Sequence, residues 1–155
     1  MTDTPVARDD YRAALIRWIA DLKPDLYVTF VFNTEMTLRT AQDRLEAFHA
    51  RVDRKLLGPK WQDKSDNRTR YIAFAEKVDS NIHIHAVFKV PTGESREFAA
   101  AAPAFWKALA PAGNLDIQDV THAEGVADYI TKEIRPETCD RMFLPRQRCA
   151  APVAA

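Results

Sequence analysis

The stretch E-K-V-D-S-N-I-H-I-H-A-V-F-K-V, residues 76–90, constrains the chain most, because it reads as a hairpin that must place its polar side chains on defined faces. Residues 71–77 and 82–90 are rich in aromatic and β-branched types, and Val78, Asp79, Ser80 and Asn81 between them supply turn chemistry. With the tip centred on Asp79 and Ser80, Glu76 falls opposite His83 and Phe74 opposite His85. Strand side chains alternate between faces, and directly opposed residues share one, so Glu76, His83 and His85 point the same way. A one-residue change in loop length would move Glu76 to the other face. Two neutral imidazoles and a carboxylate suit a divalent ion such as Mg²⁺, Mn²⁺ or Zn²⁺. The bland alternative is a His-x-His pair that is simply solvated on a half-exposed strand.

Around this hairpin the periodicities alternate. Tyr11, Leu15, Trp18, Ile19 and Leu22 fall at helical spacing over 7–22, which Pro24 ends. The run L-Y-V-T-F-V-F over 26–32 is a strand of central type, with Thr29 expected to serve sheet packing. A second helix starts from Thr37 or Thr40 as N-cap, carries Leu45, Phe48, Val52 and Leu56 inward, and stops at Gly58 and Pro59. Beyond the hairpin, Phe98, Phe105, Trp106 and Leu109 mark a helical segment expected to break or restart near Pro103, with Phe105 and Trp106 as core anchors. A short strand follows over 115–120. A helix of about three turns then runs to Pro136, with Thr121 and Glu124 at capping-box spacing and Val126, Ile130 and Ile134 as its core stripe. The order predicts an α+β fold: a ferredoxin-like, RRM-like β-α-β-β-α-β core with an antiparallel sheet, plus an N-terminal helix and a C-terminal helix. The 155 residues, 46% of them hydrophobic, suffice for one domain over 1–136, with a flexible tail over 137–155.

The charge balance counts against indiscriminate nucleic-acid binding, since Lys+Arg and Asp+Glu both number 22 and there is no global basic signal. The distribution is uneven. Arg51, Arg54, Lys55, Lys60, Lys64, Arg68 and Arg70 face only Asp53, Asp63 and Asp66 within 51–70, so this segment is the candidate for following a phosphate backbone, a solvated helix end being the plainer alternative. No apolar run approaches a membrane span, and the first residues are acidic rather than basic and apolar, so a cytoplasmic protein is expected. Cys139 and Cys149 have no metal-type spacing and are expected to be free thiols.

Tyr129 and Lys132, spaced i and i+3, are neighbours on the surface of a helix that the preceding strand returns to the sheet. A flank tyrosine alone is commonplace. In this company it carries a resemblance: with L-Y-V-T-F-V-F-N over 26–33, His83-Ile84-His85, and Tyr129-Ile130-Thr131-Lys132, the chain over 25–135 resembles the HUH endonuclease superfamily, and within it the single-tyrosine rolling-circle replication initiators (Rep type). The resemblance implies a divalent metal, Mg²⁺ or Mn²⁺, on Glu76, His83 and His85, with Tyr129 as nucleophile and Lys132 beside the phosphate. It further implies nicking and joining of single-stranded DNA or a DNA hairpin through a 5′-phosphotyrosine, as in plasmid or phage replication, with a helicase as a separate partner. His122 is expected to lie outside the site. Two other readings stay open: a non-catalytic nucleic-acid-binding module of the same fold, and, more distantly, a two-His, one-carboxylate iron enzyme.

Overall fold

The hydrophobic alternation of Leu26–Val31 makes the first strand, β1, two-sided: Leu26, Val28 and Phe30 are fully buried on one face, while Tyr27, Thr29 and Val31 are half-buried on the other. In the computed structural model, which describes residues 5–146, β1 joins β2 (Arg70–Glu76), β3 (His83–Lys89), β4 (Asn114–Asp119) and β5 (Met142–Phe143) in one antiparallel sheet of order β4-β1-β3-β2-β5. Helices α1 (Pro5–Leu22), α2 (Leu38–Leu57), α3 (Ser95–Leu109) and α4 (Ala123–Ile130) lie in two layers, and the architecture is α+β. None of the described helices is long and apolar enough to cross a membrane.

The layer of α2 and α3 buries the first face. Phe30, Phe48, Phe88, Phe98 and Trp106 form an edge-on aromatic cluster, with Phe30 centred 4.9 Å from both Phe48 and Trp106. Such offset geometry suits the ring quadrupoles. The layer of α1 and α4 covers the second face only in part. Leu15, Ile19, Ala127 and Ile130 pack onto Ile72, Phe74 and Val87, and the pair Arg12–Asp128 at 2.7 Å ties the two helices together. Because those contacts use one end of β2 and β3, the other end of the same face, where Glu76 and His83 sit, stays open.

Four expectations need correction. The third helix does not break at Pro103: α3 is continuous, because Phe98, Ala102, Trp106 and Leu109 keep one buried stripe in phase across the proline, which itself faces solvent. The last helix is two turns rather than three, and its N-cap is His122, whose Nδ1 accepts from the Gly125 N–H at 2.9 Å; the Thr121–Glu124 box does not form. It ends where the Thr131 hydroxyl donates to the Ala127 carbonyl at 2.7 Å, competing with the next helical turn. The flexible tail expected from 137 is instead structured to 146, with a 3₁₀ segment (Pro136–Arg141) leading into β5, whose Phe143 is buried against the β2 edge. Residues 147–155, including Cys149, lie outside the described residues; Cys139 is an exposed free thiol. Finally, Trp18 is 41% exposed on the flank of α1 rather than inside, since Leu15 and Ile19 make the inward contacts.

Candidate functional site

The site begins with strand register. Glu76 pairs with His83 and Phe74 with His85 across β2 and β3, the pairing that an even-numbered loop requires, and the connection of residues 77–82 supplies it. Lys77 takes a left-handed φ of 54° to start the reversal. Asn81 fixes its far end by receiving the Asn33 N–H at 2.9 Å and donating to the Asn33 side chain at 2.8 Å. The loop is thus pinned to the end of β1, and Glu76, His83 and His85 share the open face.

On that face His85 is held from both sides. Its Nε2 lies 3.0 Å from Glu76 Oε2, and its Nδ1 lies 2.8 Å from the Tyr27 hydroxyl and 3.4 Å from that of Thr29. The Tyr27 ring lies parallel to the imidazole within 10°, centroids 6.1 Å apart. The hydrogen bond from His85 holds the Glu76 carboxyl below its ordinary value in spite of partial burial, burial and the nearby Lys77 lower the His83 imidazole, and burial pushes the Tyr27 phenol up to about 12. At neutral pH the trio is therefore a carboxylate, a neutral His83 and a protonated Tyr27.

These donors fit a hard or borderline divalent ion. Ligands at adjacent corners of an octahedron with bonds of about 2.1 Å lie about 3.0 Å apart, the separation between His85 Nε2 and Glu76 Oε2. The His83 ring is centred 6.4 Å from that of His85, and among the described residues no three His, Cys, Asp or Glu side chains already converge on one point.

Beside this face an open cleft of about 540 Å³ is lined by Tyr27, Thr29 and His85 from the sheet, Asp116 from β4, and His122 and Tyr129 from α4 and its cap. Tyr129 is 65% exposed. It lines the cleft together with His85, because β4 pairs with β1 on the side away from the hairpin and returns the chain to α4 across the same face. Thr29 and His122, expected to be bystanders, both line this cleft. Their signals were the strand alternation that puts Thr29 in register with both His85 and Asp116, and the cap position of His122. Lys132 does not line the cleft: α4 ends at Ile130, so Lys132 sits exposed in the following turn, its backbone N–H on the Tyr129 carbonyl at 3.4 Å. Among the described residues the lining carries the carboxylates of Asp116 and Asp119 and no lysine or arginine.

The basic segment is divided. Arg51, Arg54 and Lys55 are exposed on α2, which covers the opposite face of the sheet from the cleft. Lys64 donates to the Leu57 carbonyl at the end of α2, and Lys60 is exposed in the loop. Arg70 shares the cleft's face of β2 but lies six residues from Glu76, about 20 Å along the strand. Arg68 is structural: its Nε reaches the fully buried Asp53 at 2.6 Å, and its guanidinium stacks 4.6 Å from the Trp61 ring centre. Asp53 also accepts from the Thr69 N–H and hydroxyl and lies 3.1 Å from His49 Nε2. These residues do not form one phosphate-tracking surface with the cleft. No protein-family model, curated protein or solved structure matches the chain.

Proposed function

We propose that the protein nicks and rejoins single-stranded DNA through Tyr129. The observation that carries this reading is the shared cleft: a solvent-exposed tyrosine and the histidine of a His-Glu pair line one open cavity. The strand order β4-β1-β3-β2 supports reading the core as ferredoxin-like, with α1 and β5 as additions. In the reaction the Tyr129 oxygen attacks phosphorus in line and gives up its proton to solvent. The P–O3′ bond breaks, the 3′ oxygen takes a proton, and a 5′-phosphotyrosine remains. That bond preserves the phosphodiester's energy, so a second 3′-hydroxyl reverses the step without ATP.

Glu76, His83 and His85 would hold a divalent cation, which when bound supplies positive charge to the phosphoryl oxygens. Such charge is needed here, since Asp116 and Asp119 would otherwise repel a phosphodiester from a cleft that has no lysine or arginine in its lining. The partner is single-stranded DNA or the loop of a DNA hairpin.

The test is incubation with single-stranded oligonucleotides and Mn²⁺ or Mg²⁺, followed by denaturing electrophoresis. A protein–DNA adduct that disappears in Tyr129→Phe is expected. An adduct that persists in this variant overturns the nucleophile. Salt-dependent binding with no adduct in the wild type would make the protein a binding module instead.

A further inference from the structure

Both ring nitrogens of His85 are occupied, and the two partners make different demands. The Glu76 carboxylate, an acceptor only, requires a proton on Nε2, so Nδ1 must accept from the Tyr27 O–H. A cation seated between Nε2 and the carboxylate requires the opposite tautomer, with a lone pair on Nε2 and the proton on Nδ1. A hydroxyl can serve both states, because it donates to a bare Nδ1 and accepts from Nδ1–H without moving its oxygen. A carboxylate, an amide nitrogen or an ammonium could serve only one. The parallel packing of the Tyr27 ring beside the imidazole fixes the plane in which this exchange happens.

We propose that Tyr27 is the positioning residue for His85: its hydroxyl stays on Nδ1 in both tautomers and so keeps Nε2 aimed at Glu76, where a divalent cation binds. Thr29, at 3.4 Å, is too distant to take over. With the side chain of His85 only 13% exposed, loss of the phenol leaves Nδ1 without a good partner and with little water to replace it. The proton count of the imidazole is unchanged by the exchange, one before and one after. This inference rests on the metal half of the proposed function, not on the identity of the nucleophile.

The experiment measures Mn²⁺ binding by electron paramagnetic resonance in the wild type, Tyr27→Phe and Thr29→Val, with thermal midpoints as the folding control. Nitrogen NMR of His85 is recorded with and without Mg²⁺. Tyr27→Phe, which keeps the ring, should bind Mn²⁺ at least about tenfold more weakly, a larger loss than in Thr29→Val, whose hydroxyl lies 3.4 Å from Nδ1. In the wild type the His85 proton should move from Nε2 to Nδ1 on adding Mg²⁺, and in metal-free Tyr27→Phe the two tautomers should mix, a change that a purely structural tyrosine would not produce. Unchanged Mn²⁺ affinity in a folded Tyr27→Phe overturns the role of Tyr27 and leaves the metal site standing, whereas a His85 tautomer that stays at Nε2–H in the Mg²⁺-loaded wild type removes Nε2 from the ligands and overturns both. Absence of Mn²⁺ binding in the wild type overturns both, and the Tyr129 adduct is assayed independently of either.

Discussion

At the scale of single residues, the least expected group is His49, buried on α2 with each ring nitrogen committed to a different partner. Nε2 donates to the Thr69 carbonyl at 2.8 Å, while Nδ1 faces an Arg68 donor at 3.2 Å and must accept from it. Burial opposes the charge, and a second ring proton would also meet the guanidinium, so the imidazole is held below its ordinary value in spite of Asp53. The sign follows from linkage. Below about pH 6.5 the unfolded chain takes up a proton that folded His49 refuses, so stability falls as pH drops, by at most about 1.4 kcal/mol per pH unit from this residue. His83 adds in the same direction. Glu76 acts in a lower window: its depressed carboxyl contributes stability above the ordinary carboxylate range and loses it as pH falls through the folded value. Urea unfolding at pH 7.5 and pH 5.5 should show His49→Gln losing less stability on acidification than the wild type; equal losses would sink the assignment. This network was hard to read in the sequence because His49 and Asp53 stand at i, i+4 within a run of charges. On a solvated helix face the same spacing would mean little, and only the fold reveals that Thr69 and Arg68 close over it.

At the scale of elements, the hairpin was legible and α3 was not, for one physical reason. Strand parity is all-or-none, so the turn residues around Asp79 and Ser80 decide the face of Glu76, His83 and His85 once the loop length is even. Proline in a helix is a matter of degree. Pro103 removes one N–H, costing up to about 3 kcal/mol, but it sits on the solvent side while Phe98, Ala102 and Trp106 are buried beneath. Burial of a phenylalanine and a tryptophan in that stripe offsets the cost, each being worth about 3–5 kcal/mol against alanine. Pro103→Ala should therefore raise stability by about 1–2 kcal/mol, the restored helix propensity and hydrogen bond being partly cancelled by a freer unfolded chain. Chemical denaturation measures it, and a destabilised Pro103→Ala would mean that α3 uses the proline's bend to fit the sheet. The two-residue strand β5 escaped for a different reason: Met142 and Phe143 are too few to show any period, and only the β2 edge gives them meaning.

At the scale of the whole molecule, stability and the candidate chemistry occupy different parts of the same sheet. One face is sealed by α2 and α3. The other is sealed only where α1 and α4 meet Ile72, Phe74 and Val87, and neither apolar core includes Glu76, His83 or His85. The α+β order was readable because β1 to β4 and the four helices carry periodicities of their own. The cleft was readable only in pieces, since Tyr27, Asp116 and His122 enter it through pairings among strands and a cap that no local motif marks. This division makes a paired prediction. His83→Ala with His85→Ala should abolish metal-dependent adduct formation while costing less than about 3 kcal/mol, most of it from leaving Glu76 and Tyr27 without their shared partner His85. Phe74→Ala, at the position directly paired with His85 but fully buried, should cost about 3–5 kcal/mol. Denaturant titration alongside the oligonucleotide assay separates the outcomes. If the double histidine variant unfolds as readily as Phe74→Ala, the imidazoles are part of the sheet's packing and the open end of the face is no reaction site; if it folds and still forms metal-dependent adducts, the cation is held by other residues.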